Sequence, residues 1–139
     1  MMTFAVAANA ATPTEIKNLI NKSGEFTSFY NGKVFEAENG GHCTVSFNED
    51  EEVVSIDAGT YFAIKADLEG AKREISAKEI IYTTTDNGKR VGGSVCGDYI
   101  PLTSYKKSVI ITKNSLTVKQ KFTCAVFDRN EIVETCTIK

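Results

Sequence analysis

His42 is the only histidine in the 139-residue chain, so any Ser–His–Asp or Cys–His mechanism must use it. It follows Gly40-Gly41 and directly precedes Cys43. Adjacent residues on a strand point to opposite faces, so His42 and Cys43 do not make a nucleophile–base dyad. The context predicts an exposed histidine at a strand edge. The run Glu49-Asp50-Glu51-Glu52 concentrates negative charge but lacks the alternating D-x-D-x-D-G order of a calcium loop. It reads as a solvated turn. Val91-Gly92-Gly93-Ser94 has the glycines of a phosphate cradle without the Lys-Ser/Thr that follows them or a helix to offer its N-terminus. Those glycines fit a bulge or a close backbone approach within a strand. Two carboxylates gathered by the fold would suit glycoside hydrolysis, but no spacing singles out a pair. Lys119 and Lys121 share one strand face, with Lys106 and Lys107 near in sequence, a mild basic stripe that at net charge -2 reads as a solubilising strand face. No catalytic residue, cofactor or metal site is expected.

The four cysteines are Cys43, Cys96, Cys124 and Cys136, and no two are spaced C-x-x-C. A zinc site needs clustered N/S ligands, so gaps this wide argue against one. An even count of spread cysteines points to two disulfides in an oxidising compartment. The N-terminus supports that reading. It is small, apolar and uncharged, and it holds Ala8-Asn9-Ala10, an A-x-A pattern like that of a signal-peptide cleavage site. Residues 1–11 are therefore expected to be a signal-peptide remnant or a disordered N-terminus, with a secreted or periplasmic location for the rest. The favoured connectivity follows from a hairpin closed by Asp128 and Ile132, which sets Cys124 opposite Cys136 and leaves Cys43 for Cys96. The alternative has the last strand reaching back to Cys43 or Cys96.

The elements that position these residues read as follows. Residues 12–139 form one domain, starting with a short helix over 13–23. Thr12 suits the N-cap, Pro13 the first turn, and Glu15 completes a capping box. Ile16, Leu19 and Ile20 form one apolar stripe, and Gly24 stops the helix. After Tyr30 the pattern turns to period two, with turn residues every eight to twelve positions or so. Strands are expected at 33–38, 43–47, 52–56, 60–68, 78–85, 89–96, 107–112, 116–127 and 131–138. Asp86-Asn87-Gly88 is the strongest hairpin signal, joining the fifth of these to the sixth. No helical crossover separates any two strands, so antiparallel pairing is expected throughout. The fold class is all-β: an up-and-down barrel of eight or nine strands behind an N-terminal helix, with a two-sheet sandwich as the alternative. Phe35, Phe47, Phe62 and Phe122 are expected inside.

That outline resembles a lipocalin-type (calycin) barrel in architecture alone. The G-x-W signature of such a first strand is absent and the chain has no Trp, so no residue roles carry over.

The remaining feature is the segment 97–105, Gly97-Asp98-Tyr99-Ile100-Pro101-Leu102-Thr103-Ser104-Tyr105. It reads as the longest irregular piece and is unusually apolar. Loops on rigid scaffolds carry function, and Tyr is favoured at interfaces. Tyr99, Ile100, Leu102 and Tyr105 are the candidate binding residues. A net charge of -2 removes the electrostatic case for nucleic acid, and no run approaches the ~18 apolar residues of a membrane span. The expectation is an exported binding protein without catalytic activity. Its partner would be a protein or a small apolar molecule, and inhibition of a secreted enzyme is the narrower form. A small hydrolase with paired carboxylates and a structural or adhesive subunit are the alternatives.

Overall fold

The computed structural model describes residues 11–34, 40–58, 63–87, 96, 100–125 and 128–139. Their elements are α1 (Thr14–Lys17), β1 (Gly24–Tyr30), β2 (Lys33–Val34), β3 (His42–Asn48), β4 (Val53–Asp57), β5 (Ala63–Asp67), β6 (Lys72–Ile75), β7 (Ile80–Thr83), β8 (Leu102–Ile111), β9 (Ser115–Cys124) and β10 (Asp128–Ile138). One continuous sheet runs in the order β5-β4-β3-β1-β10-β9-β8-β7-β6, with β2 beside β1. Every ladder in it is antiparallel. The sheet curls into a half-barrel. The all-β, barrel-like expectation holds. The order is that of an up-and-down barrel with one seam left open. β1 closes the ring against β10, while β5 and β6, joined by the turn at 68–71, share no ladder.

β1 and β6 are the strands that the period-two pattern misses. In β1, Ser28 faces inward directly opposite Glu134, so the apolar alternation breaks at a buried position. The helix is shorter than 13–23 because tertiary partners take its capping groups. The Thr12 backbone N–H and hydroxyl both donate to Glu49 Oε2, at 2.9 and 2.8 Å. Glu15 is held by Arg73 and Tyr82 instead of capping the helix. After Asn18 the chain extends, Ile20 bridges Val45 in parallel, and Asn21 takes φ 62° to enter β1.

The inward face reads in rows across β8, β9, β10 and β1. The first row is Ile111, Leu116, Cys136 and Phe26, and the next is Val109, Val118, Glu134 and Ser28. Lys107, Gln120, Ile132 and Tyr30 follow, then Tyr105, Phe122 and Asn130. The interior is thus apolar at one end and polar at the other. Val45, Val54, Ile56, Ile64 and Ala66 from the β3–β4–β5 arm bury against the apolar end, and Ile16 and Leu19 of the helical segment fill it, at 0% and 1% exposure. Phe122 is buried and Phe47 partly so, while Phe35 and Phe62 lie outside the described residues.

Both pairs of cysteines are bonded, but not in the favoured connectivity: Cys43 joins Cys136 and Cys96 joins Cys124. The β9–β10 hairpin closes earlier than Asp128/Ile132. Cys124 faces Asp128, and Cys136 faces Leu116. That separates Cys124 from Cys136 by eight ladder positions, about 27 Å, so no bond can form between them. The last strand reaches back to Cys43 across β1. The Asp86-Asn87-Gly88 hairpin also differs. Both edges of Ile80–Thr83 are occupied, one by β6 and the other by β8, so β7 is not paired through that turn; Gly88 and residues 89–95 of the expected strand lie outside the described residues.

Candidate partner-binding face

Of the segment 97–105, residues 97–99 lie outside the described residues, and β8 begins at Leu102. Leu102 faces Cys124, a bulge falls between Leu102 and Ser104, and Ser104 then faces Thr123. Hydroxyls hold this start. Thr103 Oγ1 lies 2.6 Å from the Ala125 carbonyl and 3.1 Å from that of Thr123, and Ser104 Oγ donates to Thr123 Oγ1 at 2.7 Å. The Cys96–Cys124 bond ties the preceding chain to the same corner. Ile100 stands exposed (43%) on this rim. Leu102 is half-buried beneath it, Tyr105 turns to the concave side opposite Phe122, and Tyr99 lies outside the described residues.

The convex face beyond the bulge carries two polar rows. Ser104, Thr123 and Arg129 form the first, and Lys106, Lys121 and Glu131 the second. Lys106 is thus directly opposite Lys121, an arrangement that is destabilising for like charges. Glu131 Oε2 lies 3.6 Å from Lys119 Nζ and 3.9 Å from Lys121 Nζ, so one carboxylate is shared loosely by two ammonium groups. Among the described residues Lys106 and Arg129 have no ion pair. The two rows border a groove of about 520 Å3. Asn31 fixes its far end: its N–H donates to the Glu131 carbonyl at 2.8 Å and its Oδ1 accepts the Glu131 N–H at 2.7 Å. Buried Asn130 accepts from both Tyr30 and Asn31 beneath it, at 3.2 and 3.1 Å. A smaller groove of about 220 Å3, with Ile110 and Ser108 in its wall, lies on the other side of the Lys106–Lys121 ridge.

The basic stripe read from sequence is thus divided by strand alternation. Lys106 joins Lys119 and Lys121, while Lys107 turns inward. There its ammonium lies 3.0 Å from Asp86 Oδ2 and donates to the Lys65 carbonyl at 3.2 Å, tethering the free edge of β5 to β8. Tyr105 is the neighbour of this pair. Its hydroxyl donates to Gln120 Oε1 at 2.5 Å, and burial pushes its pKa up, helped by the charges of Asp86 and Glu134. Arg129 escaped notice because only the β9–β10 register brings it beside Thr123 and Lys121.

Two further clusters come together only in the fold. Ser23 Oγ and His42 Nε2 lie 2.8 Å apart, a hydroxyl–imidazole contact on an exposed edge. Glu25, opposite His42 in the ladder, is paired with Lys139 at 2.8 Å. Among the described residues no carboxylate orients the imidazole, so the pair lacks the third member of a triad. The other cluster anchors the helix. Tyr82 Oη donates to Glu15 Oε2 at 2.5 Å, and Arg73 grips both oxygens of Glu15 from Nε and Nη2, each at 3.1 Å. Burial would raise the Glu15 pKa, but the hydrogen bonds from Arg73 and Tyr82 outweigh it and leave it lowered. Burial, then the bond to Glu15, pushes the Tyr82 hydroxyl up to about 12.

Among the described residues no group of three or more His, Cys, Asp or Glu is placed to hold a metal ion, and no helix is long and apolar enough to cross a membrane. No known family model matches the chain, and no curated protein matches it.

Proposed function

We propose that the chain is an exported, non-catalytic binding protein that engages a protein partner through the convex end of β8, β9 and β10. The observation that carries this reading is the groove of about 520 Å3 bordered by Lys106 and Arg129, with Ile100 exposed two residues before β8 begins. Polar rims around a few apolar anchors are the usual anatomy of a protein interface. The Cys96–Cys124 bond and the hydroxyl contacts of Thr103 and Ser104 keep this corner ordered, so little entropy is lost when a partner docks. A small apolar ligand is the weaker reading, because Ile16 and Leu19 occupy the apolar end of the half-barrel. Export is supported by the two disulfides and by the Ala8-Asn9-Ala10 pattern. The narrower form is an inhibitor that presents the rim to a secreted enzyme.

Lysine-directed crosslinking in the exported fraction of the native host, read by mass spectrometry, tests the face. Adducts to one protein through Lys106 and Lys121 are expected. Adducts confined to Lys17, Lys78 or Lys113, or none at all, would remove the proposal.

A further inference from the structure

Resting on that reading of the face, we infer that the partner presents an extended acidic segment, with Asp or Glu side chains alternating along it, to the Lys106–Lys121 ridge. The charge distribution points to this class. The whole chain carries a formal net charge of -2, yet Lys106, Lys119, Lys121 and Arg129 gather on one face, with Glu131 among them and Glu74 in the wall of the smaller groove. Lys106 and Lys121 occupy directly opposed positions on β8 and β9, where side chains sit closest. A carboxylate placed between them would replace repulsion with two attractions. The free protein supplies such a group only to Lys119 and Lys121, at 3.6 and 3.9 Å.

Spacing gives the extended geometry. Lys119 and Lys121 are two residues apart on one strand, so their side chains leave the sheet about 6.8 Å apart. That is also the repeat of same-side residues on an extended peptide. The grooves on either side of the ridge give such a chain a path across it. Apolar residues lie at both ends of this path: Ile100 on the rim and Ile110 in the smaller groove. A ligand meeting cations in the middle and apolar side chains at the ends is a polypeptide rather than a polyuronate. Lysine ammonium groups act as point charges and do not demand a planar, bidentate partner, which suits a segment with free carboxylates.

The test uses the full chain and a fluorescently labelled peptide of alternating Glu and Val, read by anisotropy. Binding is expected, falling at least tenfold between low and physiological salt, as contacts between exposed charges are screened. Lys106→Glu is expected to weaken it at least tenfold while raising the melting temperature, since the new carboxylate faces Lys121. That opposite movement separates loss of binding from loss of folding. Lys113→Glu, at the far turn, is expected to change neither. No binding of the peptide, or equal binding by the Lys106→Glu protein, overturns the inference. So does binding of fluorescently labelled alginate without any binding of the peptide, which would assign the ridge to an acidic polysaccharide. The two proposals can fail separately. A partner crosslinked at Lys106 and Lys121 but not displaced by the peptide leaves the binding face standing and removes only its acidic ligand.

Discussion

Gly24 is where two strands are sewn together over a third. β3 and β10 flank β1, and the Cys43–Cys136 bond passes across Gly24 between them. A Cβ at this position would lie 2.7 Å from Cys136 Sγ and 2.9 Å from the Thr137 carbonyl oxygen. Only glycine leaves room for the sulfur atoms. Gly24→Ala is expected to cost about 1–3 kcal/mol, the usual penalty for overfilling a packed site. Denaturant titration measures it, and a thiol assay after oxidative refolding should find more unpaired cysteine than in the wild type. At this scale the sequence was partly legible. Cysteine number and spacing foretold two bonds, because an even, spread set of cysteines is a compositional signal. The partners were not legible, because connectivity depends on where one hairpin turns. Moving the closure from Asp128/Ile132 to Cys124/Asp128 changes which cysteines can meet. The same dependence hid Arg129, whose place beside Thr123 follows from that register.

The helix is held to the sheet by three side chains from three elements, and it responds to pH through them. Glu15 has a lowered pKa, so the stability it gives is present above its ordinary pKa of 4.5 and is lost as pH falls through the folded value. Tyr82 has a raised pKa, so its contribution is complete below 10 and is lost as pH rises from 10 toward about 12. Stability should therefore be flat between about pH 5 and pH 10 as far as this cluster is concerned, and fall on both sides. Glu15→Gln keeps an acceptor but removes the charge that Arg73 grips. It is expected to flatten the acid limb and lower the plateau, as measured by thermal melts across pH. An unchanged acid limb would mean that other carboxylates set it. Ile16 in the observed Thr14–Lys17 and Leu19 in the turn just after it are both buried, as the periodicity of the stripe implied. What the local pattern could not supply was competition from afar. Glu49, Arg73 and Tyr82 take the groups that a capping box would have used, and Val45 draws Ile20 into a bridge. β8 shows the same effect. Its first residues look irregular in sequence because the bulge after Leu102 interrupts the alternation.

For the molecule as a whole, period-two patterning and short turns were enough to yield an antiparallel, curled sheet. Each strand has a neighbour close in sequence, and the first strand meets the last. The open seam was not legible, because β5 alternates like any other strand and the stretch that forms β6 has no clear strand pattern. β6 is wholly exposed, and its charged residues, Lys72, Arg73 and Glu74, suit an edge that must not pair with another chain. On the other side of the seam, Lys107 occupies the Lys65 carbonyl that a tenth ladder would have used. The functional face is less legible than the fold. Lysines can be counted from sequence, but which ones share a side of the sheet depends on strand phase, and phase separates Lys106 from Lys107.

The seam has one mechanical consequence. The turn at 68–71 carries the backbone across it, joining two parts that are already held together elsewhere. Residues 1–69 contain Cys43 and 70–139 contain Cys136, and the β1–β10 ladder spans both parts. Protease cleavage between Glu69 and Gly70 should therefore yield a nicked protein that migrates as one species on a non-reducing gel and as two once reductant is added. Its circular dichroism before reduction should match that of the intact chain.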